Sequence, residues 1–402
     1  MNDVISSQPQ STNRSRVKRV LVMAGGTGGH VFPALAVAGE LRTLGIEVVW
    51  MGTRAGLEAR LVPEAGYPME WVTVTGLRGK GPMSWVAAPW RLVRALGEAL
   101  AAVRRVAPDV VLGMGGFATG PGGLAAWLLR RPLVIHEQNS VAGLTNRLLA
   151  RLARRVLEAF PDTFPPGLGA VATGNPIRPE IAALATKPQG EDSTQEEAAG
   201  EEVGGRPWRL LVLGGSQGAA ALNAVLPAAL ARLPAQVRPE VWHQSGARLL
   251  EQTQVAYREA GVMGRIEPFI ADMAVAYRWA ELVVCRAGAL TVAEVAAAGV
   301  AAVLVPYPYA VDDHQTYNAR LLVNAGAAIL LPQRELSPER LAEMLTTFGE
   351  DPERLRTMGC SAHTVARPAA TAEVVARVLV AGRGLQKQTK PSDDVDATKD
   401  QG

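Results

Sequence analysis

Two short stretches restrict this chain more than any other feature. Residues 21–30 read LVMAGGTGGH, and about 190 residues later residues 211–218 read LVLGGSQG, each an apolar run that ends in glycines and leads into helical sequence. A β-rich run, a glycine turn and a helix make the opening unit of a parallel α/β layer. A chain that carries the unit twice is expected to build two such layers. A third glycine stretch, GMGGFATGPGG at residues 113–123, also follows an apolar run.

The sequence between these points keeps the same rhythm. The runs RVLVMA, VVWMG, DVVLGMG, LVIHEQ and RVLEA alternate with helical stretches, one from about Pro33 to Leu44 and one near Gly56 to Ala65. After GNPIRPE at residues 174–180 the alternation restarts with RLLVLGG, VWHQSG, LVVCRAG and AVLVPYP. The expected fold class is α/β, with two Rossmann-like domains at residues 18–178 and 207–383. The helical stretch at residues 371–380 is apolar enough to pack, on its own domain or back on the first, and pattern alone leaves that open. Residues 1–17, the stretch 187–206 with its six acids, and residues 384–402 lack the apolar side chains a core requires and are expected to be disordered.

Charge separates the two halves. Residues 1–178 hold 20 Lys and Arg against 11 Asp and Glu, whereas residues 179–402 hold 21 against 27, so the first half carries +9 and the second −6. The first half is therefore suited to an anionic partner such as a phosphate or a membrane surface. With no zinc spacing, no aromatic RNA-binding motif and no basic helix, nucleic acid is not expected. The two cysteines, Cys285 and Cys360, are too few for a disulfide framework and fit a reducing, cytosolic setting. The long uncharged run at residues 295–311 contains Gly299, Pro306 and Pro308 and reads as a helix end, a turn and a buried strand rather than a membrane span.

Neither opening loop is a P-loop, since no Gly-Lys-Ser/Thr follows, and Val31 stands where a dinucleotide fingerprint needs its third glycine. What remains is general: a turn without β-carbons lets a ligand approach free N–H groups at a helix N-terminus, where the helix dipole favours anions. A strand-to-helix turn that only needs positive φ has the same sequence. In VCRAGALTVAE, residues 284–294, Gly288 turns the chain and Leu290 onward reads as a helix whose first turn offers Thr291 and free N–H groups. Glu294, a turn further on, either complements the dipole or accepts hydrogen bonds from a ribose diol. The segment 312–315, DDHQ, is either a polar loop or a set of sugar ligands. The five histidines, His30, His136, His243, His314 and His363, have no metal-ligand spacing, and no metal or other cofactor is expected.

Together, GGTGGH at 25–30, GMGGFATGP at 113–121, HEQNSVAGLTNR at 136–147, GNPIR at 174–178, GGSQGA at 214–219, HQSG at 243–246 and CRAGALTVAE at 285–294 resemble the MurG family of bacterial glycosyltransferases. The resemblance covers residues from about Arg19 to Val380 in order. It implies a GT-B architecture, with two Rossmann-like domains facing a cleft. It also implies inverting transfer of N-acetylglucosamine from UDP-N-acetylglucosamine to undecaprenyl-diphosphate-N-acetylmuramyl-pentapeptide, the lipid I to lipid II step of peptidoglycan synthesis. The partners so implied are the two substrates, the cytoplasmic membrane surface and other cell-wall or division proteins, with the chain peripheral on the cytoplasmic face. Another GT-B glycosyltransferase, or a catalytically silent nucleotide-sugar-binding protein, is the alternative.

Carried over by residue, the resemblance makes Ser216, Ala289, Leu290, Thr291, Val292 and Ala293 contacts of the donor diphosphate and sugar. Glu294 becomes the ribose ligand, Ile270 the residue whose backbone reads the uracil edge, and Gln315 the one that holds sugar hydroxyls. Thr27, Gly28, Gly29, Asn139 and Arg178 complete the donor site from across the cleft. The acceptor diphosphate falls to the first domain's two glycine loops, at Gly25, Gly26, Gly116, Thr119 and Gly120. His30 closes the first loop and is the expected general base, because an imidazole takes up a proton near neutral pH. Glu137 is the competing carboxylate base. Leu77, Met83, Trp85 and Trp90, interleaved with Arg and Lys, form the expected membrane patch.

Overall fold

The computed structural model describes residues 17–74, 88–186, 206–215 and 219–383. The segments expected to be disordered, at 1–16, 187–205 and 384–402, lie outside the described residues, as do Leu77, Met83, Trp85 and Ser216.

Thirteen strands among the described residues form two parallel sheets. The first takes β1 (Arg19–Met23), β2 (Glu47–Gly52), β3 (Met69–Trp71), β4 (Val110–Gly113), β5 (Leu133–Glu137), β6 (Arg155–Glu158) and β7 (Val171–Ala172) in the order β3-β2-β1-β4-β5-β6-β7. The second takes β8 (Arg209–Leu213), β9 (Glu240–Gln244), β10 (Arg265–Glu267), β11 (Leu282–Cys285), β12 (Ala301–Leu304) and β13 (Ala328–Leu330) in the order β10-β9-β8-β11-β12-β13. The central strands are the apolar runs of the sequence. Val20, Leu21, Val22 and Met23 of β1 are all buried, as strands covered by helices on both faces must be. In register, Leu21 lies between Val49 and Val111.

Each sheet reverses its strand order once, between β1 and β4 in the first and between β8 and β11 in the second. Such switch points open a crevice at the carboxyl ends of the strands. All the glycine loops follow those strands.

The chain crosses from the first layer to the second near Gly174. Ile177 and Ile181 already belong to the core of the second sheet, with Val292, Val295 and Tyr277. It crosses back just after Ala366: the Ala370–Gly382 helix buries Val374, Val375, Val378 and Ala381 in the core of the first sheet, beside Val20, Val22 and Val110. Val17, placed by the sequence reading in the polar extension, is buried there next to Gly382. The two crossings touch. Gly174 adopts φ +81°, and a β-carbon there would lie 2.6 Å from Cβ of Arg367. The first helix also departs from expectation, spanning Gly28–Thr43 with Pro33 inside it, so the glycines themselves form its opening turn.

Among the described residues no helix is long and apolar enough to cross a membrane.

The returning helix should stabilise the domain it packs on, not the one it follows in sequence. Val374→Ala and Val378→Ala are each expected to cost about 1–3 kcal/mol. Hydrogen exchange should accelerate in β1 and β4 while β8 and β11 keep their protection; equal acceleration in both sheets would contradict this assignment.

Candidate functional site at the two switch points

In the first domain the loops after β1 and β4 pack directly on each other. A β-carbon on Gly116 would lie 2.5 Å from the Gly25 carbonyl oxygen, so backbone lies against backbone. Beneath them sits Glu58, a carboxylate with no exposed surface. Its Oε2 accepts from the Gly26 N–H at 2.9 Å, and its Oε1 accepts from the N–H and hydroxyl of Thr53 at 3.0 and 2.7 Å. These contacts lie at the loops expected to hold the acceptor diphosphate. Gly25 is small because Glu58 would meet its β-carbon at 2.4 Å, and the Gly26 N–H is already bound.

Thr119 joins the same two loops. Its buried hydroxyl shares its one hydrogen between the carbonyls of Gly115 at 2.8 Å and Met23 at 3.2 Å, and so ties one loop to the other. Gly120 lies in the first turn of the Thr119–Leu128 helix against Thr145. Gly28 and Gly29 open the first helix after Thr27, where N–H groups lack intrahelical acceptors.

His30 projects from that opening turn over Gly115, with Nδ1 2.7 Å from Gln138 Oε1. Glu137 is the rival base. It is 3% exposed, and its two oxygens accept from four donors of its own loop: the N–H and Nδ2 of Asn139, the Gly143 N–H and Asn146 Nδ2. A carboxylate so engaged organises the loop after β5.

In the second domain Gly288 turns the chain after β11 into the Ala289–Ala298 helix. Leu290 and Thr291 occupy its first turn. The Val292 side chain is buried in the core, so only its backbone can meet a ligand. Glu294 is 5% exposed and accepts from Arg178 Nη2 at 2.9 Å and from the Tyr277 hydroxyl at 3.1 Å. Burial pushes its carboxyl above the usual range, and the Arg178 guanidinium pulls it back. Each carboxylate oxygen retains a lone pair for a further donor.

Ile270 donates its N–H to Gln244 Oε1 at 3.1 Å, so its carbonyl is the backbone group left for a base edge. Gln315 accepts from the Tyr307 N–H at 2.9 Å through Oε1, leaving its amide NH2 to donate. Below the loop after β8, buried His243 bridges Tyr257 and Asn223, and Asn223 in turn holds the Ser245 carbonyl.

Side chains bind the two halves across the cleft. Fully buried Asn318 accepts from the N–H and hydroxyl of Ser140 and donates to Asn139 Oδ1 and the Ala287 carbonyl. Asn175 donates to the Gln138 carbonyl at 3.0 Å and to the Ala289 carbonyl at 3.2 Å. His30 is thus two residues removed from the helix start that carries Leu290 and Thr291. The first domain's base candidate, Arg178, Glu294 and the second domain's helix start converge on one cleft; Glu58, Gln138, Tyr277 and Asn318 join them without having been singled out from sequence.

Residues 20–158 match the glycosyltransferase family 28 N-terminal domain and residues 209–373 the glycosyltransferase family 28 C-terminal domain. A crystal structure of Acinetobacter baumannii MurG is 42% identical and superposes with a TM-score of 0.73 over 90% of this chain and 99% of that one. The chain belongs to the MurG group of glycosyltransferase family 28. Two relatives, from Nitrosococcus oceani and Alkalilimnicola ehrlichii, bear the name UDP-N-acetylglucosamine--N-acetylmuramyl-(pentapeptide) pyrophosphoryl-undecaprenol N-acetylglucosamine transferase. Each is 58% identical, the first over 91% of this chain and 99% of its own length, the second over 90% and 98%.

Two imidazoles of this scaffold should make stability depend on pH. Burial pushes His136 down to about 4 and His243 down to about 3. An unfolded imidazole titrates near 6.5, so the unfolded chain binds more protons below that pH, and stability is full above it and lost as the pH falls. By pH 5 each should cost about 2 kcal/mol. Ring-nitrogen NMR should find both neutral in the folded protein at pH 5.5, with the melting temperature already below its value at pH 7.5; an imidazolium at either position would contradict the assignment.

Proposed function

We propose that the chain transfers N-acetylglucosamine, with inversion, from UDP-N-acetylglucosamine to a muramyl-pentapeptide carried on undecaprenyl diphosphate. The observation that carries this reading is the pairing across the cleft: Gln138, the partner of His30, is joined through Asn175 to the Ala289 carbonyl at the start of the helix that carries Glu294. The donor lies along the second domain, with its ribose diol on Glu294, its uracil edge on the Ile270 carbonyl and its diphosphate over the first turn of the Ala289–Ala298 helix. Oriented N–H groups and the dipole of that helix meet the charge on the departing UDP, and Arg178 adds a cation beside the ribose ligand. In this reading no metal is needed. His30 takes the proton from the acceptor hydroxyl as its oxygen attacks the anomeric carbon and the bond to UDP breaks.

The test is transfer of radiolabelled sugar to a lipid-diphosphate acceptor, with calorimetry for UDP. His30→Ala should lower kcat by about 10² to 10⁴-fold with UDP affinity nearly unchanged. Glu294→Ala should weaken UDP binding about tenfold or more, since a charged hydrogen bond of 1.5–3 kcal/mol is lost. No transfer by the parent protein, with UDP-sugar still bound, would instead support a silent binding protein.

A lipid-linked acceptor requires the first domain to meet a bilayer. Three neighbouring helices, Ala88–Val106, Thr119–Leu128 and Leu144–Leu149, expose Trp90, Leu92, Val93, Trp127, Leu128, Leu144 and Leu148. Exposed Arg130, Arg147 and Arg151 lie among them in sequence. Apolar groups bordered by cations suit peripheral binding to anionic lipid at the cytoplasmic face. Trp90→Ser with Trp127→Ser should reduce sedimentation with phosphatidylglycerol vesicles at least about fivefold without lowering the melting temperature; unchanged sedimentation would place the membrane contact elsewhere.

A further inference from the structure

The hydrogen bonds behind His30 fix where its proton sits. His30 Nδ1 lies 2.7 Å from Gln138 Oε1. Gln138 Nε2 lies 3.0 Å from His136 Nδ1 and 3.1 Å from the His136 carbonyl, and His136 Nε2 lies 3.0 Å from the Gly174 carbonyl. Gln138 is 1% exposed and His136 not at all, so these partners set the hydrogen positions.

Both fixed ends of the chain are carbonyl oxygens, which only accept. The Gly174 carbonyl therefore requires a proton on His136 Nε2. Burial keeps the His136 ring neutral at pH 7, and a neutral imidazole holds one proton, so its Nδ1 accepts. The Gln138 NH2 group faces that acceptor and the His136 carbonyl, which turns its oxygen to His30. An amide oxygen cannot donate. His30 must then carry its proton on Nδ1, leaving the Nε2 lone pair without a hydrogen-bond partner among the described residues.

We infer that Gln138, oriented by His136 and the Gly174 carbonyl, is a positioning residue that holds His30 in the Nδ1–H tautomer, so that Nε2 is the atom that receives the acceptor's proton. The inference rests on the reading of His30 as the base. As the acceptor O–H bond breaks, its proton passes to Nε2 and its oxygen bonds to the anomeric carbon, while the bond from that carbon to the diphosphate oxygen breaks and its electron pair leaves with UDP. The imidazolium keeps its Nδ1–H on an uncharged amide, and so gives up the extra proton to solvent more readily than it would from a carboxylate partner.

Nearby charges are occupied elsewhere. Glu137 serves its own loop, Glu58 holds Gly26 and Thr53, and Arg178, whose guanidinium lies 5.9 Å from the Phe32 ring two residues along from His30, is paired with Glu294.

Ring-nitrogen NMR of the full-length protein, with His30 assigned by loss of its signals in His30→Gln, tests this directly. Above its titration, the neutral ring should show a protonated Nδ1 and an unprotonated Nε2; an Nε2–H signature in the parent protein overturns the inference. Gln138→Met, which removes the acceptor oxygen at similar size, should give mixed tautomers. It should also lower kcat roughly ten- to a hundredfold, with the KM for UDP-N-acetylglucosamine within about twofold. Retention of both the parent tautomer and kcat in the folded variant also overturns it. A His30→Ala variant that loses less than tenfold in turnover would defeat the base reading alone, with the tautomer result standing apart from it.

Discussion

Asn318 is the side chain on which the arrangement of the cleft most depends. It is fully buried, and its one amide accepts from Ser140 twice and donates to Asn139 and the Ala287 carbonyl. A buried amide left unpaired costs roughly 1–3 kcal/mol for each missing partner, so this geometry tolerates little displacement. Through Asn139 the constraint reaches Glu137, whose carboxylate collects the N–H groups of Asn139 and Gly143 and the amide of Asn146. The loop after β5 is thereby shaped, and that loop carries Gln138. Polar groups rather than a continuous apolar core join the facing loops, as is common where two domains of one chain meet.

The repeated glycine loops have a more specific cause than anion binding in general. In the first domain two loops from adjacent strands must lie backbone to backbone, and a buried carboxylate must fit beneath them. Gly25 and Gly116 satisfy those demands. Glu58 also takes up the Gly26 N–H, so the N–H groups left for a ligand are those of the helix opening at Gly28 and Gly29. In the second domain the corresponding role falls to Gly288, whose φ of −64° is open to any residue. Its lack of a side chain keeps the approach to the helix start clear.

The long, wholly apolar central strands could be read from sequence because burial on both faces leaves no polar positions in them. β3, β7, β10 and β13 escaped that reading, being two or three residues long and only partly buried at the sheet edges. The positions of His30 and Glu294 follow from strand, glycine turn and helix: His30 in the opening turn of the Gly28–Thr43 helix, Glu294 a turn into the Ala289–Ala298 helix. The internal partners of Glu137 and Thr119 were not legible, since a carboxylate or hydroxyl in a loop looks the same in sequence whether it meets a ligand or its own backbone. Tyr277 and Asn318 carried no local signal. Asn318 meets its partners 178 and 179 residues away, and only the folded chain brings them together.

The two crossings between domains account for the direction of this coupling. Gly174 and Arg367 press against each other where the chain leaves the first domain and where it returns, and the Thr371 hydroxyl reaches the Ile177 carbonyl. The carbonyl of Gly174 also holds His136, and the side chain of Asn175 holds both Gln138 and the start of the helix proposed to bind the donor. A shift of one domain against the other therefore bears on the segment that orients His30. In the proposed reaction, attack on the sugar draws on a base from one domain and a donor from the other, and the same crossing touches the segments that carry both.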